Sequence, residues 1–263
     1  MVVDTIITNT HFLTEMGVFF IPRIMKQHYE NYTQEEHEVW KLLFKRQENN
    51  LQAKASKEYK DCLKKLATCL NAESIPNFEE MNRFLKKHTG WQIHIVPGLI
   101  PVGEFFDLLA EKKFCSSTWL RTKEQIDYLD EPDMFHDIFG HIPLLMNPTF
   151  SKFAQEFGKL GQQFKNDEAM LAKLQRIYWF TIEFGLIREN SELKIYGAGI
   201  ASSYGETNHI FESDLQHLEY NIHEVMDCEF HTDSIQDKYF VINSLEDLIN
   251  SLKELTIKLR KIA

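Results

Sequence analysis

Two histidines and one glutamate are the residues of this chain best able to do chemistry. His136 and His141 stand five positions apart in Glu131-Pro132-Asp133-Met134-Phe135-His136-Asp137-Ile138-Phe139-Gly140-His141-Ile142-Pro143. Glu183 is the one charged residue in Ile177-Tyr178-Trp179-Phe180-Thr181-Ile182-Glu183-Phe184-Gly185-Leu186-Ile187. A carboxylate buried in such surroundings is costly unless something cationic sits beside it. A divalent metal held by His136, His141 and Glu183 would offset that cost.

Neutral imidazoles and a carboxylate form the facial ligand set of non-haem Fe(II) sites, which leaves octahedral positions open for further ligands. The same residue types also hold catalytic zinc. The spacing raises a difficulty. On a regular α-helix five positions turn through about 500°, so the two rings would diverge by about 140°. They can share one ion only if the helix is distorted, and Gly140 and Pro143 mark a place where it ends. Without a metal, both rings would be hydrogen-bonded core histidines. Glu183 would then turn to Arg176 or Arg188, seven residues before it and five after, and neither interval is a helical contact. His11, His94, His209 and His217 read as surface or structural residues.

The elements that must position these groups are mostly helical. Thr33-Gln34-Glu35-Glu36 has the form of a capping box, so a helix is expected to about Glu48. A second is expected over 51–70, and a third from Asn77 to His88, ended by Thr89-Gly90. Gln92 to Val96 alternates as a short strand, Pro97-Gly98 turns, Glu104 to Lys112 is helical, and Phe114 to Leu120 is extended. Pro132 to Phe139 opens a helix. Phe150–Phe164 and Asp167–Arg188 read as long helices, and Leu193–Ile195 and Tyr239–Ile242 as strands. Helix resumes at Tyr204, and Ser244 caps a last one. The fold class is mainly α (α+β): a single compact helical catalytic domain over 1–263 with a few short β-strands, residues 1–32 forming an N-terminal extension packed on it.

Composition limits the function classes. With 29 Lys and Arg against 39 Asp and Glu, the net charge of −10 gives nucleic acid no basic footprint and does not favour anionic membranes. No 18-residue apolar stretch and no basic leader is present, so a cytoplasmic protein without a membrane span is expected. Cys62, Cys69, Cys115 and Cys228 are scattered, without a C-x-x-C pair, and read as reduced, buried thiols.

The segments around His136 and His141, the run Ile177 to Leu186, and Tyr196-Gly197-Ala198-Gly199-Ile200-Ala201-Ser202-Ser203-Tyr204-Gly205-Glu206 resemble the aromatic amino acid hydroxylases, in their short bacterial form. The resemblance runs from about Tyr32 to Ile249 and covers neither a regulatory nor a tetramerisation domain. It implies a monooxygenase with Fe(2+) on His136, His141 and Glu183. The cosubstrates would be a tetrahydropterin (tetrahydrobiopterin or a bacterial analogue) and O2. L-Phenylalanine would become L-tyrosine, as in phenylalanine catabolism, by a monomer or small homo-oligomer. Preference for L-tryptophan or L-tyrosine within the family, and a zinc hydrolase with Asp137 as base, are the alternatives. A helical interaction module with structural His and Glu is a third.

The resemblance also implies roles. Arg121 would clamp the substrate carboxylate, with Asp133 holding it. Pro132, Trp179, Phe184 and the His136 ring would wall the substrate ring, which Gly199 and Ser203 would let approach the backbone. Ser202 would steady His136. Phe105 would stack on the pterin. Gly98, Leu99 and Ile100 would meet its polar edge, and Asp137 would reach it through water. Tyr178 would hydrogen-bond near an iron-bound water. Leu129 and Asp130 depart from the animal pattern, and the stretch Asp227–Asp233 departs from the bacterial one, with Asp233 near a substrate-selecting position. Trp179 favours phenylalanine over tryptophan.

Overall fold

Glu36 donates its N–H to the Thr33 hydroxyl at 3.2 Å, and its carboxylate accepts the Thr33 N–H at 2.7 Å. This reciprocal cap starts α1 (Gln34–Leu51), whose Val39, Trp40, Leu43, Phe44, Gln47 and Leu51 form one buried stripe. The computed structural model describes residues 25–260 other than 128, 130, 213 and 233. The expectations for His11, Asp130, Asp233 and most of the N-terminal extension therefore lie outside the described residues. The described end of that extension is tied down: Tyr32 donates its hydroxyl to the Thr118 carbonyl at 2.7 Å.

Residues 51–70 do not form one helix. The backbone leaves it to bridge Ala55 with Ile195, and the Ser56 N–H donates to the Ile195 carbonyl at 2.7 Å. Ser56 then caps a shorter helix, α2 (Lys57–Lys65), by accepting the Tyr59 N–H. Asn77 caps α3 (Phe78–His88) as its sequence predicts. Strands β1 (Gln92–Ile95) and β2 (Lys113–Ser116) pair in parallel, which requires a crossover, here α4 (Val102–Ala110). Across α4 lies α5 (Pro148–Gln163). A Cβ on Gly161 would stand 2.1 Å from the Phe106 ring, so only glycine permits this approach.

The long helix expected to Arg188 stops earlier. α6 (Glu168–Tyr178) passes into a π-helical turn over Trp179–Glu183, and the chain leaves as β3 (Leu186–Glu189). Pairing decides this: β3 forms an antiparallel hairpin with β4 (Glu192–Ile195) through Asn190 and Ser191, at φ 51° and 67°. Positive φ at both central residues is what a tight hairpin turn demands. Helices α7 (Ala198–Ser202) and α8 (Tyr204–His209) follow, then β5 (Gln216–Glu219), α9 (Ile222–Asp227), β6 (Lys238–Ile242) and α10 (Leu245–Arg260). The larger sheet has the order β4-β3-β6-β5. β5 and α9 had no clear sequence signal, and every residue of β5 is exposed. The fold is mainly helical with short strands, as its sequence predicts.

An aromatic core lies directly beneath the histidine segment. Phe135 and Phe139 stack with centroids 4.9 Å apart, and Phe44 meets Phe139 edge-on at 5.0 Å. Ring pairs of this kind bury large areas in defined orientations, so they fix the segment that carries His136 and His141.

Candidate metal centre

His136–His141 forms a π-helical turn. Its hydrogen bonds reach five residues rather than four, so positions five apart come to lie one above the other. That removes the angular conflict posed by a regular helix. Glu183 ends the second π-turn. The His141 Nε2 stands 3.1 Å from His136 Nε2 and 3.0 Å from Glu183 Oε1, and His136 Nε2 is 3.7 Å from Glu183 Oε2. Donors about 2.1 Å from one octahedral ion, at right angles to each other, stand about 3 Å apart. The arrangement therefore fits one small divalent ion.

A hydrogen-bond chain sets the His136 tautomer. The Ser202 hydroxyl donates to the Ala198 carbonyl at 2.9 Å, so toward His136 Nδ1, also at 2.9 Å, it can only accept. Nδ1 therefore carries the proton and Nε2 presents its lone pair, as ligation requires. Ser202→Ala is expected to weaken iron retention roughly 10- to 100-fold with the fold intact. Competition with a chelator measures this, and unchanged affinity would remove Ser202 from the site.

Protonation suits the same purpose. Burial would raise the Glu183 carboxyl, but His141 and His136 beside it pull it down to about 2. Burial pushes His136 down to about 4, with Glu183 working against that shift. At neutral pH the site holds an ionised carboxylate and a neutral His136, the forms that bind a cation. Among the described residues, the ion-pair partners of Glu183 are these two rings, so neither Arg176 nor Arg188 neutralises it. Arg176 instead donates to the Met226 carbonyl and Arg188 pairs with Glu219.

Tyr178 stacks beside His141, with ring centroids 6.3 Å apart, and lies edge-on to Phe105, with centroids 5.0 Å apart. Phe105 is thus brought within one ring of the metal ligands. Phe114 stacks on His141 at 4.5 Å, a contact that had no signal in the sequence. Gly199 approaches the carboxylate itself: a Cβ there would stand 3.0 Å from Glu183 Oε2 and 3.1 Å from the Phe184 ring. Gly98, Leu99 and Ile100 form a partly exposed turn after β1. Asp137 accepts the Ser117 N–H at 2.9 Å, and burial pushes its carboxyl up to about 7 against the pull of that hydrogen bond.

Arg121 and Asp133 form a buried bidentate pair, Nε to Oδ2 and Nη2 to Oδ1, both at 2.9 Å. The Asp133 carboxylate also accepts the Arg121 N–H at 3.0 Å and the His136 N–H at 3.1 Å. It therefore fixes the arginine and the start of the ligand segment together. Asp133 occupies the Nε/Nη2 edge of the guanidinium. The Nη1/Nη2 edge is left to a second acceptor, with the Ile126 carbonyl 3.2 Å from Nη1.

Trp179 and Phe184 pack with ring centroids 4.6 Å apart, and Pro132 is half-buried. Ser203 spends its hydroxyl accepting the Glu206 N–H as the cap of α8. The four cysteines are free, but only Cys62 is fully buried. Cys69, Cys115 and Cys228 are half-buried, a correction to the expectation of four interior thiols. Phe230, from the stretch that departs from the bacterial pattern, and Gln236 contact Trp179, and the sequence assigned Gln236 no role. Gln236 lies in a polar loop with no periodicity to mark it.

A family model described as biopterin-dependent aromatic amino acid hydroxylase matches residues 21–262. A phenylalanine-4-hydroxylase from Ralstonia nicotianae is 42% identical over 230 residues, 87% of this chain and 72% of its own. The crystal structure of Chromobacterium violaceum phenylalanine hydroxylase with bound oxidised Fe(III) is similar at TM-score 0.84 and 38% identity, over 88% of this chain and 83% of that one. A second structure of that enzyme, with iron(III) and the oxidised cofactor 7,8-dihydrobiopterin, gives TM-score 0.83 at 38% identity, over 90% and 86%. Likeness of this extent, around a ligand set that converges on its own geometry, shows that the chain belongs to the biopterin-dependent aromatic amino acid hydroxylases.

Proposed function

We propose that this chain is a phenylalanine 4-monooxygenase that hydroxylates L-phenylalanine to L-tyrosine, using Fe(2+), a tetrahydropterin and O2. The observation that carries the reading is the convergence of His136, His141 and Glu183 from two π-turns, with one ligand atom from each lying within 4.8 Å of the others and the Glu183 carboxylate ionised. Its similarity to phenylalanine hydroxylases, one of them seen with iron and dihydrobiopterin, supports the choice of substrate and cofactors. Together, iron and reduced pterin supply the oxygen activation that protein side chains cannot.

The chain's own residues bind, orient and exclude water. Arg121, held along one edge by Asp133, offers its remaining N–H edge to the amino acid's carboxylate. Trp179, Phe184 and Pro132 receive the aromatic ring, and Phe105 offers its face to the pterin. Gly98, Leu99 and Ile100 present backbone groups to the pterin's polar edge, with Asp137 reaching it through water. Ser202 keeps the His136 tautomer fixed, and Tyr178 packs beside the His141 ring. Such pre-set positions lower the ordering cost of bringing the reactants together. The free cysteines are in the form that a reducing cytoplasm maintains, and no described helix is long and apolar enough to cross a membrane.

Anaerobic reconstitution with ferrous iron, followed by reduced pterin, air and L-phenylalanine, is expected to yield tyrosine. A stoichiometrically iron-loaded protein that forms none would overturn the assignment. Arg121→Lys is expected to raise the KM for L-phenylalanine about tenfold or more with a smaller change in kcat, because an ammonium cannot serve two acceptors in a planar fork. Steady-state kinetics at saturating pterin checks it, and an unchanged KM removes the clamp.

A further inference from the structure

The Trp179 indole is gripped from the loop after α9. Its Nε1–H donates to Gln236 Oε1 at 3.0 Å. The Gln236 side-chain amide has no freedom to turn away: its NH2 donates to the His231 carbonyl at 2.7 Å and the Ser234 carbonyl at 3.0 Å. With both donors spent on carbonyls, the oxygen must face the indole. The Gln236 backbone is held equally firmly. Its N–H donates to Glu206 Oε1 at 3.2 Å, and its carbonyl lies 3.2 Å from both the Tyr239 oxygen and the His209 Nε2. Glu206 in turn accepts the Tyr239 hydroxyl through its other oxygen at 2.7 Å. Gln236 is 3% exposed. A second ring from the same loop, Phe230, stacks on Trp179 at 4.5 Å and 20°.

We propose that Gln236 is a specificity-determining positioning residue. By holding the indole N–H it fixes the tilt of Trp179 against Phe184, and so the width left for the substrate ring. The inference rests on the reading of Trp179 as a wall of the substrate pocket. Glu206 and Tyr239 act one step further back, as the buried posts to which Gln236 is tied. In this arrangement α8, the loop and β6 set the pocket wall, while the metal ligands on the two π-turns are untouched.

The test compares L-phenylalanine with the larger L-tryptophan in the iron-loaded enzyme with reduced pterin. Gln236→Met keeps the side chain's length and removes the acceptor. It is expected to raise the KM for L-phenylalanine roughly tenfold, the scale of a buried hydrogen bond left unmade, with kcat within about threefold. The ratio of kcat/KM for phenylalanine over tryptophan should fall by about the same factor. Calorimetric binding of L-phenylalanine to the iron-loaded protein should weaken in parallel. Equal loss on both amino acids, or an unchanged ratio, would overturn the proposal. Should Gln236→Met fail to fold, benzothienylalanine at position 179 removes the N–H at nearly constant ring size and leaves the loop intact. It is expected to lower the ratio likewise, and a parental ratio there would equally overturn the inference. A parent enzyme that makes no tyrosine would count against the proposed function instead, since the calorimetric comparison still reads the Gln236 effect on binding.

Discussion

Glu183→Gln is expected to abolish tyrosine formation and to lower iron affinity by more than about 100-fold. That figure is the upper end of what losing a mere supporting hydrogen bond to a ligand costs, so losing the ligand's charge must exceed it. The substitution keeps the shape of the side chain and removes the one anion of the ligand set. An amide oxygen can still touch the ion, but it cannot neutralise it in a buried site where unpaired charge is costly. His136→Ala acts from the other side by removing the lone pair that Ser202 aims at the metal. Iron content after gel filtration and tyrosine yield per iron give the answer. Parental iron stoichiometry and turnover in either variant would end the ligand assignment. Thermal unfolding of the metal-free proteins separates this from misfolding, because neither change opens the aromatic core beneath the segment.

The second large effect is expected at Asp133. Its side chain is fully buried and satisfies four donors: the Arg121 Nε, Nη2 and backbone N–H, and the His136 N–H. Asp133→Ala strands a guanidinium that is itself nearly buried, and removing one partner of such a pair costs about 3–5 kcal/mol. Denaturant unfolding of the metal-free protein should show a loss of that size. Joint replacement of the pair, Arg121→Met with Asp133→Leu, should be less destabilised than Asp133→Ala alone, since no charge is left unpaired. A loss below about 1 kcal/mol for Asp133→Ala would mean that the arginine re-solvates freely, which the burial of the pair opposes. The same variant should lose affinity for the amino acid, because the guanidinium edge left for the substrate is held by Asp133 alone among the carboxylates that pair with it in the described residues.

Much of this architecture was legible residue by residue. Thr33 and Asn77 start helices where their side-chain oxygens predict, because a cap is a local interaction between neighbours in sequence. Glu183 was legible as an ion-binding group because an isolated acid in an apolar run cannot be buried cheaply without a cation beside it. The break between α1 and α2 was not legible, since the acceptor that draws Ser56 out of the helix lies on β4, far along the chain. The end of α6 was hidden for the same reason: the apolar run continues to Ile187, and only the pairing of Leu186 with Ile195 and Val241 takes it into a strand. Gln236 gave no signal at all, because an uncharged residue in a polar loop acquires meaning only from what it touches.

By itself the sequence determined which groups could bind a metal, which residues would start the main helices, and the family resemblance with its expected substrates. Only the tertiary structure decided that His136 and His141 face one point. A π-turn lacks the intrinsic stability of an α-turn, so its surroundings must hold it. Here the aromatic stack of Phe135 and Phe139 supports one side. On the other, α7 approaches so closely that a Cβ on Gly140 would stand 2.8 Å from the Ala198 carbonyl. That contact brings Ser202 to His136 and lets the five-residue spacing close on Glu183.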